Sequence, residues 1–141
     1  KKGYRAVSAQ YPPLYSTSDW CKSFDRFLDV LSCNKVHLCG TSLGGFLVQH
    51  YAVMFPARVT SLMLCNSFVS TEVFNENAPC LSMLNLLPHA VLKNYIINSF
   101  PTGPMDLAMT QAADFMGQQL DLLDGYDLAA RLTLNCTLST V

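Results

Sequence analysis

The sequence predicts an α/β protein built on a parallel sheet with helices on its faces, and three observations carry that prediction. Strand-like apolar runs alternate with helical stripes over residues 4–65. The middle run is apolar on both sides, as in a sheet covered by helices on each face. It then passes without a spacer into Gly40-Thr41-Ser42-Leu43-Gly44, a turn that ends a strand and opens a helix.

Taken in order, residues 4–9 (Tyr4-Arg5-Ala6-Val7-Ser8-Ala9) have the length and composition of a first strand, closed by Tyr11-Pro12-Pro13. Ser18 is placed to cap a helix with Asp19 in its first turn. Trp20, Phe24, Phe27, Leu28 and Leu31 give that helix one apolar stripe, and Asn34 suits a left-handed exit. Residues 36–39 form the second strand, in which His37 is expected to pack under a helix. Residues 44–55 read as a helix that is apolar almost all round and therefore deeply buried, with Pro56 just past its end. Residues 59–65 complete β-α-β-α-β, and right-handed crossovers make the strands parallel in one sheet.

From about Ser70 the pattern becomes helical. Leu81, Leu84, Leu87, Val91, Tyr95 and Ile96 predict short helices broken at Pro88, and Met109, Ala112, Met116, Leu120 and Leu123 form a stripe between Pro104 and Gly125. The organisation expected is a partial core over residues 1–68, a helical cap insertion over 69–133, and the start of a return to the core over 134–141.

Composition bounds the function. Apolar residues make up 50% and charged residues 13%, against a typical charged share of about 25%. So little polar surface suits the interior of something larger. With Lys1-Lys2-Gly3 showing neither an initiator Met nor a signal-peptide pattern, the chain is expected to be a piece of a longer protein. Nine basic and ten acidic residues without a block of like charge argue against a nucleic-acid partner. No apolar run reaches the roughly 18 residues that a membrane span needs. Cys21, Cys33, Cys39, Cys65, Cys80 and Cys136 include no C-x-x-C pair, so reduced, buried thiols and a cytosolic setting are expected. His37, His50 and His89 lie too far apart to form a metal site by ligand spacing, and neither a metal nor a cofactor is expected.

The chemistry concentrates at the serine turn. A serine hydroxyl is a poor nucleophile unless a tight strand-to-helix turn exposes it to a base. Gly40 and Gly44 are expected to remove the Cβ clashes of such an elbow, and Gly45 to permit close helix packing, leaving Ser42 at the strained apex. The Leu43 N–H would be one oxyanion donor. A base and an acid are not assignable. His50 lies eight residues along the same helix, an axial offset of roughly 12 Å, and His89 belongs to the insertion. Asp106, Asp114, Asp121, Asp124 and Asp127 belong to helices whose carboxylates face solvent, and the position after the third strand reads Asn66-Ser67-Phe68. Met83, Met105, Met109 and Met116 are expected to serve ordinary helix packing, with the lining of a cleft above Ser42 as the alternative. Asn135-Cys136-Thr137 matches a glycosylation acceptor formally and is read as coincidence.

In the stretches GYRAVSAQYP, KVHLCGTSLGGFLVQ, RVTSLMLCNSF and LAARLTLNC the sequence resembles the α/β-hydrolase-fold superfamily, and within it a branch of non-catalytic adaptors. The resemblance implies an incomplete α/β-hydrolase fold in which Ser42, active or vestigial, occupies the elbow with Gly40, Thr41, Leu43, Gly44 and Gly45. It also implies a protein of the cytosol, peripheral on endosomal or trans-Golgi membranes, that binds the cytoplasmic tail of a membrane receptor of T-cell co-receptor type. The runner-up is a serine hydrolase whose acid and histidine are encoded elsewhere. In this fold another strand lies between the first two seen here, so residues 4–9 and 36–39 should stand about 10 Å apart with a slot between them.

Overall fold

A computed structural model describes residues 3–76, 81–98 and 103–141. Its elements are α1 (Thr17–Val30), β1 (Val36–Thr41), α2 (Leu43–Met54), β2 (Val59–Cys65), α3 (Glu72–Glu76), α4 (His89–Ile97), α5 (Leu107–Asp121) and α6 (Gly125–Cys136). Single 3₁₀ segments at Pro56–Arg58 and Leu81–Leu86 precede β2 and α4. β1 and β2 pair in parallel, with Leu38 opposite Leu62 and Thr41 opposite Cys65.

Local chemistry sets the boundaries. The cap of α1 is Ser16 and not Ser18: its Oγ accepts from the Asp19 N–H at 3.1 Å, which satisfies one of the donors that a helix start leaves free. The left-handed exit falls on Ser32, φ 56°, two residues before the expected Asn34. Asp106 and Asp124 cap α5 and α6 in the same way as Ser16, accepting from Met109 N–H and Asp127 N–H.

Residues 4–9 form no strand. A strand is defined by its ladder, and among the described residues β1 is hydrogen-bonded only to β2. As the resemblance implied, the segment does not pair with β1. It lines a groove of about 850 Å³ together with Val36, Leu38, Gly40, Trp20 and Phe24. Tyr4 reaches across at one end, its ring edge-on to His37 with centroids 5.9 Å apart.

Only one face of the β1–β2 pair is covered. Leu38 and Gly40 are buried toward α2, whereas His37, Cys39, Thr41, Ser61, Met63 and Cys65 share the opposite, exposed face. His37 therefore does not pack under a helix, and its Nδ1 is hydrogen-bonded to Ser61 Oγ at 2.8 Å. Cys39 and Cys65 are exposed free thiols, contrary to the burial expected of them. Cys21 and Cys136 are buried and Cys33 lies between. Cys80 falls outside the described residues.

The main apolar cluster gathers Trp20, Leu28, Leu38, Phe46, Leu47 and Tyr51. Burial of α2 is deep in its first two turns and ends at Val53 and Met54, which are exposed. Polar contacts tie α1 to α2 and to the 3₁₀ segment before β2: Tyr51 Oη donates to Asp25 at 2.7 Å, and Arg58 bridges Asp25 at 3.3 Å and Asp29 at 2.9 Å. A second cluster, with Leu84, Leu92, Leu120, Leu128 and Leu132, fills the helical region. α6 joins the two, because its Leu134 belongs to the first cluster. Arg131 adds a cation–π contact 4.6 Å from the Tyr11 ring centroid.

The ends of the helical region are pinned together. Ser70 and Thr140 form an antiparallel bridge, and Val141 N–H donates to Val69 O at 3.0 Å. Thr71, fully buried, donates from Oγ1 to Thr137 O at 2.7 Å and accepts there from Ser139 N–H at 2.8 Å.

Candidate functional site: the serine elbow

The turn forms where the sequence places it. Ser42 N–H donates to Cys65 O at 3.1 Å, closing the end of the β1–β2 ladder, and Ser42 O accepts from Phe46 N–H at 3.1 Å as the first bond of α2. Between those two bonds the chain reverses at Ser42, with φ 51° and ψ −124°. Positive φ at a residue with a side chain costs on the order of 1–3 kcal/mol and persists only where the surroundings dictate it.

Here the surroundings are glycines and one hydroxyl. A Cβ on Gly40 would lie 2.6 Å from Gly44 O and from Gly45 Cα, so the end of β1 and the start of α2 touch backbone to backbone. A Cβ on Gly45 would meet Ser67 Oγ at 2.4 Å. Gly44, expected to be needed for the turn, has nothing within 4 Å of a Cβ built on it. Ser67 Oγ donates to Ser42 O at 3.3 Å, and Gln49 Nε2 donates to Gly45 O at 3.1 Å and Phe68 O at 2.9 Å. The loop leaving β2 is thus stitched to the first turn of α2. Sequence reasoning passed over Ser67 and Gln49 as binding groups. Their only signal was a hydroxyl just after the strand and an amide in the second turn of the helix.

Ser42 is exposed, Thr41 is exposed, Leu43 and Gly44 are half-buried, and Gly40 and Gly45 are buried. Leu43 is the first residue of α2, where helix geometry leaves an N–H without an intrahelical acceptor. Ser42 makes no side-chain bond as a helix cap.

Each histidine is engaged elsewhere. His37 bonds Ser61, His89 Nε2 donates to Leu120 O at 3.4 Å, and His50 Nε2 meets Ser139 Oγ at 3.4 Å. The His50 ring also stands edge-on to Phe46 at 4.5 Å, and burial lowers its pKa below the usual histidine value. Asp106 and Asp124 cap helices, Asp121 pairs with Lys93 and Asp127 with Arg131. Asn66 follows β2 with φ 45°. No group of three His, Cys, Asp or Glu side chains able to hold a metal ion occurs among the described residues.

The family model described as alpha/beta hydrolase fold matches residues 6–139. The chain belongs to the α/β hydrolase fold family. It is similar to maspardin of Danio rerio, 45% identical over 141 residues that cover 99% of this chain and 45% of that protein. It is 44% identical to maspardin of Homo sapiens, over 99% of this chain and 46% of that protein. The chain thus spans about half the length of these curated relatives. Among solved structures, a chain from a crystallographic study of carboxylesterases of Nitrososphaera gargenis superposes with a TM-score of 0.66 at 17% identity, covering 92% of this chain and 48% of that one. That likeness concerns the fold, here a parallel two-stranded sheet with flanking helices among the described residues. No helix among the described residues is long and apolar enough to cross a membrane.

Proposed function

We propose that this protein is a maspardin-like, non-catalytic adaptor whose elbow shapes a docking pocket for a peptide. Its partner in this reading is the cytoplasmic tail of a membrane receptor of T-cell co-receptor type. It acts in the cytosol and peripherally on endosomal or trans-Golgi membranes, in trafficking or the regulation of signalling. One observation supports the reading above the others: Ser42 is held at an exposed apex while all three histidines are bonded to other groups. Among the described residues no base reaches Ser42, and a serine hydroxyl not served by one binds through its oxygen and the nearby N–H groups without attacking. The loop after β2, where a hydrolase could place its acid, offers Ser67, and that hydroxyl is spent on the Ser42 carbonyl.

Titrating the full-length protein with a receptor-tail peptide tests this. Saturable binding is expected, weakened by Thr41→Trp, which crowds the elbow from an exposed position. Binding indifferent to that change would refute the placement.

The second reading is a serine hydrolase for an ester or acyl substrate, with acid and histidine supplied from outside residues 1–141. The retained strain at Ser42 favours it, since backbone strain of this kind clusters at functional sites.

A further inference from the structure

We propose that Asn66 is a site of spontaneous deamidation, which turns the neutral corner beside the elbow into a carboxylate. Asn66 is the first residue after β2, is exposed, and turns the chain with φ 45°. Asparagine is among the few residues with a side chain that enter this region readily, so the turn accounts for its presence. The same short side chain sets a reactive amide carbonyl beside the next peptide nitrogen.

Deamidation proceeds through that nitrogen. The Ser67 backbone nitrogen attacks the Asn66 side-chain carbonyl carbon, gives up its proton and closes a succinimide ring as the C–N bond of the side-chain amide breaks and ammonia leaves. One water then opens the ring at either carbonyl, leaving aspartate or isoaspartate, with no oxidant or reductant involved. Three features of the corner favour the attack. The residue that follows is serine, whose small side chain leaves the nitrogen accessible. Among the described residues, neither the Asn66 side chain nor the Ser67 N–H makes a hydrogen bond. The bonds that stitch this loop to α2 fall instead on Ser67 Oγ and the Phe68 carbonyl.

Other asparagines lack this combination. Asn94 and Asn135 lie inside α4 and α6, where helix geometry ties the following N–H to a carbonyl one turn back. Asn34 is exposed like Asn66, but the long side chain of Lys35 follows it. The second Asn-Ser pair, Asn98-Ser99, extends outside the described residues.

Position gives the change its effect. The peptide group that joins Cys65 to Asn66 supplies the carbonyl that accepts Ser42 N–H at 3.1 Å. Aspartate at this corner sets a negative charge one residue from the bond that closes the elbow. Isoaspartate lengthens the backbone by a methylene between that bond and the Ser67 stitch. The chemistry is the same whether Ser42 docks a peptide or attacks an ester, so this inference and the functional reading fail separately.

The test ages the full-length protein in mildly alkaline buffer, folded and in urea, and locates the amide-to-acid mass gain by sequencing its peptides in the mass spectrometer. In the folded protein the gain is expected at Asn66 about tenfold faster or more than at Asn94 and Asn135, whose following N–H groups are released only when a helix opens. The folded rate at Asn66 should lie within severalfold of its rate in urea. Enzymatic methylation, which counts isoaspartate, should rise with age and fall in Asn66→Gln, whose longer side chain closes a ring far more slowly. Circular dichroism checks that the variant remains folded. An Asn66 that reacts in urea and not in the folded protein would overturn the proposal. So would a gain no faster than at Asn94 and Asn135, or isoaspartate undiminished in Asn66→Gln.

Discussion

Ser67 Oγ donates to the carbonyl oxygen of Ser42 at 3.3 Å, so the loop leaving β2 holds the apex of the elbow from below. The same hydroxyl stands 2.4 Å from where a Cβ on Gly45 would lie. One small side chain therefore both supports the turn and fixes which residue can follow it.

Gly40→Ala and Gly45→Ala should each destabilise the full-length protein, at the scale of about 1–3 kcal/mol typical of overpacking. Only the second should be relieved in large part by Ser67→Gly, because Gly40 faces backbone alone, while Gly45 faces the Ser67 side chain at 2.4 Å and, less tightly, Gly40 O at 3.0 Å. Urea midpoints of the four variants, two single and two combined with Ser67→Gly, measure this. Equal rescue of both would contradict the geometry.

The neck of the helical region should depend on Thr71. Thr71→Val keeps the shape but removes the Oγ1 bonds to Thr137 O and Ser139 N–H. Leaving such buried groups unpaired costs about 1–3 kcal/mol. Limited proteolysis should then cut faster within residues 137–141, while Glu72→Gln, at an exposed neighbour, leaves the rate unchanged.

The buried thiol of Cys21 and the half-buried imidazole of His50 each make stability depend on pH. Burial pushes the Cys21 thiol from 9.0 up to about 11. A folded-state value above the unfolded one means stability present below pH 9 and lost as pH rises toward 11. His50 runs the other way: its pKa is lowered from 6.5 by burial, so stability present above pH 6.5 is lost as pH falls through the depressed value. Cys21→Ala should flatten the alkaline limb and His50→Gln the acid limb of thermal midpoints recorded against pH. An unchanged limb in either variant would assign the effect to other groups.

The elbow was legible in the sequence because its determinants are local: an apolar strand, Gly40 and Gly45 around Ser42, and an apolar helix directly after. β2, the break at Pro88 and the helix between Pro104 and Gly125 follow from the same short-range signals. Residues 4–9 read as a strand and are not one, because strand formation needs a neighbouring ladder that composition cannot supply. The apolar run over residues 36–39 implies two covered faces, but α2 covers one, which leaves His37 and Cys39 exposed. The stripe through Met109 and Met116 misled for a related reason. Periodicity shows which residues share a face, and only packing shows whether anything lies against it.

Reaction of the full-length protein with a fluorophosphonate probe tests the central claim most directly, since only a serine activated by a base is labelled. The account predicts no labelling at Ser42 above the level of Ser42→Ala, with tail-peptide binding intact. Stoichiometric labelling that Ser42→Ala abolishes would contradict it and establish the elbow as a working nucleophile.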